Sequence, residues 1–356
     1  MKIFFDARWT RTVRHDGVSR YGAELARALA RLHPITLLIC DEDQLTLLPK
    51  NVPYIVVNNP LSPKEFLLPH KLNKLGADVV FSPLQTMGMW GRKYKLILTL
   101  QDLIYYKNPK PPTFLPAYVR AVWWLFHQAY WPQRLLLNQA DYVTTVSGES
   151  KKEILQAHLT DRPVGVIYNA PSVVKEPSKA TAVKKDLVYM GSFMPYKNVE
   201  LLLRSLPLLP DYTLHLTSPI QPDRRAELEK LIQNPTQVHF WNGISDKDYA
   251  HLLSTARALV SASKAEGFGL PLIEAMQVGA PVAATDMPIF REVGGDAALY
   301  FDPDSPDELA ATIRQLENPT TRSERIKKGF VQAQKFSWDN SARELLSIMK
   351  KLNQQS

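Results

Sequence analysis

Cysteine is almost absent from this sequence. Cys40 is the single cysteine among 356 residues, so an internal disulfide is excluded and a zinc site built on cysteines is disfavoured. We therefore expect a reducing, cytoplasmic setting. The first six residues also lack the apolar run and the small-residue cleavage site of a secretory signal, and we expect the chain to fold from its first residues.

Short-period repeats and low-complexity tracts are also missing. Hydrophobic residues make up 45% of the chain and charged residues 22%, a composition that is typical of globular proteins and excludes wholesale disorder. At 356 residues the chain is longer than most single domains, so one or two compact units are expected.

Acidic residues are scarce relative to basic ones, but only in the first half. Residues 1–170 contain 21 Lys and Arg against 13 Asp and Glu, a net charge of +8, whereas residues 171–356 contain 22 of each. The excess positive charge indicates a partner that concentrates negative charge. Nucleic acid, an anionic membrane surface and a phosphorylated substrate all meet that description.

Short apolar runs alternate with helical patterns through the first half. The runs predict strands at residues 2–5, 35–40, 54–57, 79–82, 95–100 and 142–146, and the patterns predict a helix capped by Ser19 and further helices at 63–75 and 114–138. Strands separated by helices are typical of a parallel sheet covered on both faces, so the sequence predicts an α/β fold.

A polar, proline-containing stretch at residues 171–185 interrupts the alternation and is interpreted as a linker. The alternation resumes with strands predicted at 187–190, 212–217, 238–240 and 258–261 and helices predicted from about 199, at 224–232 and at 246–256. Two Rossmann-like halves are therefore expected. Ligands of such sheets bind beyond the carboxyl ends of the strands, in the cleft that two such halves would leave.

The most informative segment, residues 263–276, passes from a predicted strand through a glycine-rich turn into a helix. Its glycines permit a tight turn and Pro271 suits the first turn of a helix, so backbone N–H groups and the positive helix end should bind a phosphate. Glu266 before the helix and Glu274 within its first turn can accept hydrogen bonds from hydroxyl pairs of a sugar or a ribose. In the alternative interpretation, one glutamate caps the helix and the other is solvated.

The spacing of these glutamates resembles a known family motif. Glu266 and Glu274 match the E-G-F-G-x-P-x-x-E frame of the family-4 retaining glycosyltransferases, which have the GT-B fold of two Rossmann-like domains. The resemblance implies that Glu266 faces the donor sugar and that Glu274 binds the nucleotide ribose. It also implies that the turn backbone contacts the diphosphate, through Gly267, Phe268, Gly269 and Leu270.

A second segment, residues 189–198, resembles the G-R-x-x-x-x-K-N pattern of the same family. The resemblance implies that Gly191 and Ser192 line the donor site and that the ammonium of Lys197 neutralises the departing diphosphate. A solvated lysine is the alternative. Ser192 stands where the family commonly has arginine, so a second phosphate cation is expected elsewhere, with Arg20 and Arg291 as candidates.

Residues 14–22 resemble the glycine-rich first loop of the family. This implies that Gly17 contacts the donor phosphates and that Arg20 and Tyr21 lie on the acceptor side. An ordinary capped helix start is the alternative. The segment lacks the G-x-G-x-x-G pattern, so binding of a nicotinamide dinucleotide loses its main support.

Further family landmarks lie near predicted strand ends. Gln101 and Asp102 follow an apolar strand, where many members have histidine and then aspartate, and the resemblance implies catalytic positions beside the donor sugar. A turn-capping role for Asp102 is the alternative. Ser147 resembles an acceptor-side landmark, and Gly243 lies in the segment that meets the nucleotide base in the family.

Two Asp-x-Asp patterns, at residues 41–43 and 302–304, match a metal-binding motif of other glycosyltransferases. The resembled family uses no metal, because positive side chains and a helix end supply the same electrostatic stabilisation. We therefore expect neither a metal nor a cofactor.

Residues 114–131 are apolar on nearly every side, yet too short and too polar to span a membrane. One interpretation is a helix buried under the first sheet. The other is a helix that places exposed Trp and Tyr side chains at a bilayer interface beside basic residues, or that lines a groove for a lipid acceptor.

The resemblance implies a metal-independent hexosyltransferase that moves a hexose from a nucleotide diphosphate sugar to a hydroxyl acceptor with retention of configuration. By family habit, GDP-mannose is the first expected donor and a UDP-hexose the second. The acceptor is expected to be a glycolipid, a lipid-linked sugar or a cell-surface polysaccharide precursor. The enzyme is expected to be cytoplasmic and peripheral on the inner face of the membrane.

Domains are expected at residues 1–170 and 171–337, with a last helix at about 338–356 packing back on the first domain. The alternative function is a non-transferase enzyme of the same fold, such as a sugar-nucleotide epimerase. A basic nucleic-acid-binding protein would explain the positive charge of the first half, but not the glutamate frame of the neutral second half.

Overall fold

The computed structural model describes residues 1–13, 15–109, 117–171 and 183–355. The chain divides into two compact units. Unit 1 comprises Met1–Asn169 together with Ser337–Ser356, and unit 2 comprises Ala170–Phe336. Most of the predicted linker at 171–185 lies outside the described residues.

Unit 1 is built on a seven-stranded sheet. Its strands are β1 Ile3–Asp6, β2 Ile35–Ile39, β3 Tyr54–Val56, β4 Val79–Ser82, β5 Lys95–Thr99, β6 Tyr142–Thr145 and β7 Val164–Val166. The order across the sheet is β3-β2-β1-β4-β5-β6-β7, and every neighbouring pair is parallel. Strand β7 was not predicted because its three residues include Gly165 and form no apolar run.

Among the described residues of unit 1, six α-helices precede the linker. They are α1 Gly17–Leu32, α2 Leu68–Lys74, α3 Ile104–Lys107, α4 Ala117–Phe126, α5 Trp131–Asn138 and α6 Gly148–Gln156. The helix predicted at 63–75 is a 3₁₀ helix, Pro63–Leu67, followed by α2. The cap of α1 is Asp16, whose Oδ1 accepts from the backbone N–H of Ser19 at 2.9 Å. Ser19 therefore lies inside the helix, and its predicted capping role is wrong.

Unit 2 repeats the same plan with six strands. They are β8 Asp186–Tyr189, β9 Thr213–Leu216, β10 Val238–Phe240, β11 Ala258–Ser261, β12 Val282–Thr285 and β13 Leu299–Phe301. The parallel order is β10-β9-β8-β11-β12-β13. In both sheets the first strand of the unit is central and the order reverses beside it, the doubly wound arrangement that the alternation predicted.

The helices of unit 2 are α7 Val199–Ser205, α8 Pro222–Glu229, α9 Asp246–Thr255, α10 Leu270–Gln277, α11 Pro288–Gly294, α12 Pro306–Gln315 and α13 Pro319–Ala333. The main core of the unit combines the apolar faces of β8, β9 and β11 with α7 and α12. Burial of this apolar surface is the chief stabilising contribution to the unit.

The last helix, α14 Trp338–Gln354, belongs to unit 1. It packs along α1, where the Trp338 ring meets the ring of Tyr21 edge-on at 6.0 Å. Asp339 forms an ion pair with Arg31, and the Ser341 hydroxyl donates to the carbonyl of Tyr168 at 2.7 Å. The chain therefore returns to unit 1 after completing unit 2.

Helix α4 corrects one expectation. None of its residues is buried, so the interpretation of residues 114–131 as a helix covered by the first sheet is wrong for the described part, and residues 114–116 lie outside it. The segment is also interrupted, because α4 ends at Phe126 and α5 begins at Trp131. Within the described residues, no helix combines the length and apolarity needed to cross a membrane.

Candidate active site

The structure brings Lys197 and Glu266 together in unit 2. Lys197 ends the 3₁₀ turn Pro195–Lys197 after β8, and Glu266 lies in the loop after β11. Strands β8 and β11 are parallel neighbours, so their carboxyl ends meet at the same edge of the sheet. Nζ of Lys197 donates to Oε2 of Glu266. The two side chains are 13% and 18% exposed, which leaves the pair accessible to a ligand.

The turn that carries Lys197 is held by contacts across three loops. Asn198 adopts a left-handed conformation with φ of 53°, and its Nδ2 donates to the carbonyl of Pro303 at 2.7 Å. The backbone N–H of Lys264 donates to the carbonyl of Tyr196 at 2.8 Å, and the Lys264 ammonium pairs with Asp304. The sequence analysis missed Asn198 and Lys264 as positioning residues, although the K-N dipeptide was a signal for Asn198.

The glycine-rich turn leads directly into α10. Gly269 has φ of +100°, and a Cβ at this position would lie 3.0 Å from the ring of Phe290, so glycine is required there. Gly269 provides no side-chain cap for α10. The first N–H groups of a helix have no partner within it and carry partial positive charge, a suitable arrangement for a phosphate.

Residues 267–270 contribute to this turn in different ways. Phe268 is buried and its ring meets the ring of Phe336 at 5.5 Å, so its side chain anchors the turn in the core of unit 2. Gly267 is buried and Leu270 is half-buried at the first position of α10. Only the backbone of these residues is therefore suited to the predicted diphosphate contact.

Glu274 lies one turn further along α10 than predicted. The helix begins at Leu270, so Glu274 is its fifth residue and belongs to the second turn. The residue is buried, with 8% exposure. A carboxylate almost never occupies such a site unless it is paired, and its role toward a ribose stays a prediction.

Gly191 and Ser192 form a turn held mainly through the backbone. The N–H of Gly191 donates to Oγ of Ser218 at 3.1 Å, and the hydroxyl of Tyr189 donates to the carbonyl of Ser192 at 2.5 Å. Burial raises the pKa of Tyr189 well above its usual value, so this phenol remains a donor. The exposed Ser192 side chain brings no positive charge to the turn.

The two expected replacements for the missing arginine lie in different units. Arg291 in unit 2 binds Asp286 through two nitrogens, at 2.5 and 2.7 Å. Arg20 lies in α1 of unit 1, and its role toward the donor stays a prediction. Arg224, which the sequence analysis missed, donates from Nε to the carbonyl of Phe193 at 2.9 Å. Its guanidinium also pairs with Glu200 and Glu227, so Arg224 supports the turn from α8.

Gly243 follows β10 at the same sheet edge. It has φ of +108° and the preceding Asn242 has φ of 50°, and the Gly243 N–H donates to the carbonyl of Thr217 at 3.2 Å. The side chain of Asn242 accepts from the N–H of Ile220 at 3.1 Å. This turn exposes mostly backbone groups. A segment that contacts a nucleotide base through its backbone, and not through a side chain that distinguishes one base from another, would have the same character.

In unit 1, Gln101 and Asp102 follow β5. Nε2 of Gln101 donates to the carbonyl of Pro83 at 2.9 Å, and the Gln101 carbonyl accepts from the hydroxyl of Thr145 at 3.2 Å. Oδ1 of Asp102 accepts from the N–H of Ile104 at 3.0 Å. Asp102 therefore closes a short turn immediately before α3, in line with the turn-capping alternative, and its catalytic position stays a prediction.

Two further positions of unit 1 need correction, and a third stays a prediction. Gly17 is the exposed first residue of α1, and its contact with the donor phosphates stays a prediction. Tyr21 and Ser147 are fully buried. Tyr21 packs against Trp338, and Ser147 caps α6 by accepting from the N–H of Ser150 at 3.0 Å. Direct contact of these two side chains with an acceptor does not fit the structure, because each serves the core or a helix end.

The two Asp-x-Asp patterns are local turns. Asp41 accepts from the N–H of Asp43 at 3.0 Å, and Asp302 accepts from the N–H of Asp304 at 2.7 Å. These bonds explain why aspartate suits both turns. Within the ranges that the structure describes, no three His, Cys, Asp or Glu side chains are grouped in a way that could hold a metal ion.

The fold and the site define a class of protein. GT-B glycosyltransferases have two doubly wound parallel α/β units. Their second unit carries a lysine–glutamate pair beside a glycine turn and a helix N-terminus, as unit 2 does here. The family model for glycosyl transferases group 1 matches residues 174–350, and the model for glycosyltransferase family 4 matches residues 15–171. Together the two models cover nearly the whole chain, so the chain belongs to the glycosyltransferases that they describe.

Curated relatives include O-antigen chain mannosyltransferase B of Escherichia coli, 30% identical over 61% of this chain and 62% of that relative. O-antigen chain mannosyltransferase RfbU of Salmonella typhimurium is 30% identical over 52% of this chain and 53% of the relative. The chain thus spans less than two thirds of either relative.

Solved structures show the same fold over the whole chain. Sucrose-phosphate synthase of Thermosynechococcus elongatus aligns with a TM-score of 0.77 and 18% identity over 100% of both chains. Anabaena HepE in complex with UDP and glucose aligns with a TM-score of 0.74 and 18% identity over 98% of this chain and 99% of that chain.

Proposed function

We propose that this protein is a retaining hexosyltransferase that uses a nucleotide diphosphate sugar. The observation that carries the proposal is the Lys197–Glu266 pair beside the Gly269 turn, at the carboxyl edge of the unit 2 sheet. A cation, a carboxylate and the positive end of a helix at one edge suit the chemical parts of such a donor, namely its phosphates, its sugar hydroxyls and the charge on its leaving group.

In this proposal the donor diphosphate displaces the carboxylate of Glu266 from the ammonium of Lys197. Glu266 then accepts hydrogen bonds from hydroxyls of the donor sugar. As the bond from the anomeric carbon to the phosphate oxygen lengthens, its electron pair passes to the phosphate, where Lys197 and the N–H groups of α10 stabilise the new charge. The acceptor hydroxyl attacks the oxocarbenium-like carbon from the same face and gives its proton to the leaving phosphate.

Mannose is the proposed sugar, because two relatives carry mannosyltransferase in their names. GDP-mannose is the first donor to test. A UDP-hexose is the second, since one structure of the same fold contains UDP. The O-antigen relatives favour a cell-envelope polysaccharide precursor or a lipid-linked sugar as the acceptor.

The proposed reaction needs no metal ion, because Lys197 and the N-terminus of α10 provide the positive charge. Turnover should be unchanged when a chelator such as EDTA is added. A chelator-sensitive rate that added Mg²⁺ restores would contradict this part of the proposal.

The experiment is calorimetric titration of the protein with GDP, UDP, ADP and their sugar conjugates, followed by NMR of the product formed with a mannose-terminated lipid acceptor. We expect one nucleotide to bind and an α-linked product to form. Conversion of the donor sugar without an acceptor would indicate an epimerase, and a β-linked product would contradict retention.

We also propose that unit 1 associates with an anionic membrane surface through α4. Tyr118, Val122 and Leu125 are 74%, 65% and 62% exposed. The open hollow on this helix has a volume of about 470 Å³ and is lined by Ala117, Arg120, Ala121, Trp124 and Leu125. Residues 103–140 contain four Lys and Arg and no Asp or Glu. Exposed aromatic and apolar side chains with positive charge favour an anionic bilayer interface.

The test for α4 is co-sedimentation with vesicles made of equal parts phosphatidylcholine and phosphatidylglycerol. The double variant Trp124→Ser and Leu125→Ser should bind at least tenfold more weakly. Val331→Ser is the matched control, since Val331 is 63% exposed in unit 2. Equal binding of the double variant and the wild type would refute a role for α4.

A further inference from the structure

A second exposed apolar surface lies on unit 1, away from the sequence segment of α4. Leu61, Phe66 and Leu67 are 69%, 69% and 66% exposed, and Trp90 is 82% exposed. We call these four residues the Trp90 surface. Phe66 and Leu67 end the 3₁₀ helix Pro63–Leu67 after β3, and Trp90 lies in the loop after β4. Large apolar side chains concentrated in this way mark an interaction site.

A buried charge network fixes the first of these two segments. Nε of Arg8 donates to Oδ1 of Asp6 at 2.7 Å, and NH1 of Arg8 donates to Oε2 of Glu65 at 2.6 Å. The side chains of Arg8 and Asp6 are fully buried, and that of Glu65 is 15% exposed. Because Glu65 precedes Phe66 directly, the network anchors the base of the exposed side chains.

The same network holds the Trp90 loop against the 3₁₀ helix. The N–H of Gly88 donates to Oε1 of Glu65 at 2.8 Å, and a Cβ on Gly88 would lie 2.1 Å from the carbonyl oxygen of Glu65. Beyond Trp90, the side chain of Asn73 donates to the carbonyl of Gly91 at 2.8 Å. Both flanks of Trp90 are therefore tied along residues 65–73, which holds the loop that carries Trp90 against the segment that carries Phe66 and Leu67.

The charge around this surface selects its partner. Residues 51–95 contain six Lys and Arg and only two acidic residues, Glu65 and Asp78. Glu65 shares the single positive charge of Arg8 with Asp6, and Arg92 pairs with Asp141. Asp78 accepts from the N–H of Lys2 at 2.6 Å and lies 3.8 Å from the N-terminal ammonium. The five lysines at positions 64, 71, 74, 93 and 95 still give the segment that carries the apolar side chains an excess of positive charge. An anionic bilayer accepts both features, the tips among acyl chains and the lysines among headgroups.

We infer that the Trp90 surface is a second membrane contact of unit 1, independent of α4 and selective for anionic lipid. This inference rests on the proposed peripheral association but not on the proposed chemistry. Its rigid base means that the side chains are already placed for insertion, so little ordering cost opposes binding.

The experiment uses the full chain with the triple variant Leu61→Ser, Phe66→Ser and Trp90→Ser. Co-sedimentation is measured with phosphatidylcholine vesicles and with vesicles of equal parts phosphatidylcholine and phosphatidylglycerol. We expect wild type to bind the anionic vesicles, and the triple variant to bind them at least tenfold more weakly. Combining it with Trp124→Ser and Leu125→Ser should weaken binding further, and Val331→Ser should change nothing.

Several outcomes separate this inference from the proposals above. Undiminished vesicle binding by the triple variant, with loss in the α4 variant, would overturn the Trp90 surface and keep α4. A change of oligomeric state in light scattering, without a change in vesicle binding, would instead assign the surface to a second copy of the chain. Because all substituted side chains are exposed, the triple variant should bind nucleotide as wild type does. If wild type itself binds no nucleotide, that result would contradict the proposed function and not the inference about the Trp90 surface.

Discussion

At the scale of single residues, the contact between Lys197 and Glu266 is the central observation. Two residues 69 positions apart form a partly buried ion pair, in which each neutralises the other while no donor is bound. Both side chains are therefore held where the donor phosphate and sugar would arrive. In the proposed mechanism, donor binding then has to break the contact between the two side chains, which become free to bind the phosphate and the sugar.

Lys197→Ala and Glu266→Gln should each lower turnover by roughly 10²-fold or more, since each removes preorganised electrostatic stabilisation. Calorimetry should separate the two roles. Lys197→Ala should weaken nucleotide binding, whereas Glu266→Gln should keep it, because Glu266 is assigned to the sugar. Lys328→Ala, which removes an exposed ion pair with Glu324, is the control. Near-normal turnover in either variant would remove that residue from the mechanism.

We expect His127 to make the stability of unit 1 depend on pH. Burial lowers the pKa of His127 below its usual 6.5, and the hydrogen bond to the Trp123 carbonyl only partly opposes this. The folded state then binds fewer protons than the unfolded chain between the lowered pKa and 6.5. Stability should therefore be complete above about pH 6.5 and fall as the pH drops through that window.

Urea unfolding of wild type and His127→Gln measures this effect. The measurements are made at about pH 7.5 and about pH 5.5, roughly one unit to either side of the ordinary pKa of histidine. The variant should lose less free energy of unfolding between the two pH values. An equal loss in both proteins would assign the acid sensitivity to other groups, among them His15, whose pKa is also lowered by burial.

At the scale of elements, helix starts determine what each loop can bind. Helix α10 begins after a left-handed glycine without a side-chain cap, whereas α1 begins after Asp16, whose carboxylate occupies the N–H of Ser19. The two starts look alike in sequence, since both follow a strand and contain glycine. Pro271 has no N–H, and the N–H of Leu272 donates to the carbonyl of Gly269 at 3.0 Å, so what α10 offers an external anion is its positive end together with the backbone of the turn before it.

Gly269→Ala tests this element directly. Its φ of +100° and the Phe290 ring at 3.0 Å mean that a methyl group is strained there, so we expect a loss of about 1–3 kcal/mol in unfolding free energy together with weaker nucleotide binding. Gly17→Ala is the matched stability control. A Cβ on Gly17 meets nothing within 4 Å, and this variant should unfold like wild type. Equal stability of the two variants would contradict the strain assigned to Gly269.

At the scale of the whole molecule, charge and chemistry are divided between the two units. The sequence up to residue 170 carries all the excess positive charge, whereas the lysine–glutamate pair and the glycine turn lie in unit 2. We assign membrane contact to unit 1 and donor binding to unit 2. A nucleotide should consequently stabilise unit 2 without changing vesicle binding.

Hydrogen exchange with and without the nucleotide identified by calorimetry checks this division. At a ligand concentration of about 100 times Kd, binding should add roughly 2.7 kcal/mol of stability. The added protection should appear at residues 191–198 and 264–277, and Lys197→Ala should abolish it. Protection confined to unit 1 would place the nucleotide elsewhere.

Much of the fold follows from local patterns in the sequence. Apolar runs located ten strands to within about one residue, because a buried strand needs consecutive apolar side chains and is bounded by turn residues. The glutamate frame and the K-N segment predicted the donor side for the same reason, since a turn and the helix after it are encoded by adjacent residues. The short strand β7 offered no such run, and the sequence analysis did not predict β12 or β13.

Tertiary structure decided which of these residues meet. It paired Lys197 with Glu266 and tied Asn198 to the carbonyl of Pro303, 105 residues away, because parallel strands that are distant in sequence end at one sheet edge. It also buried Tyr21 and Ser147 and left α4 exposed. Burial depends on what packs against a helix face, and an apolar pattern alone does not specify whether that neighbour is another part of the chain or a membrane.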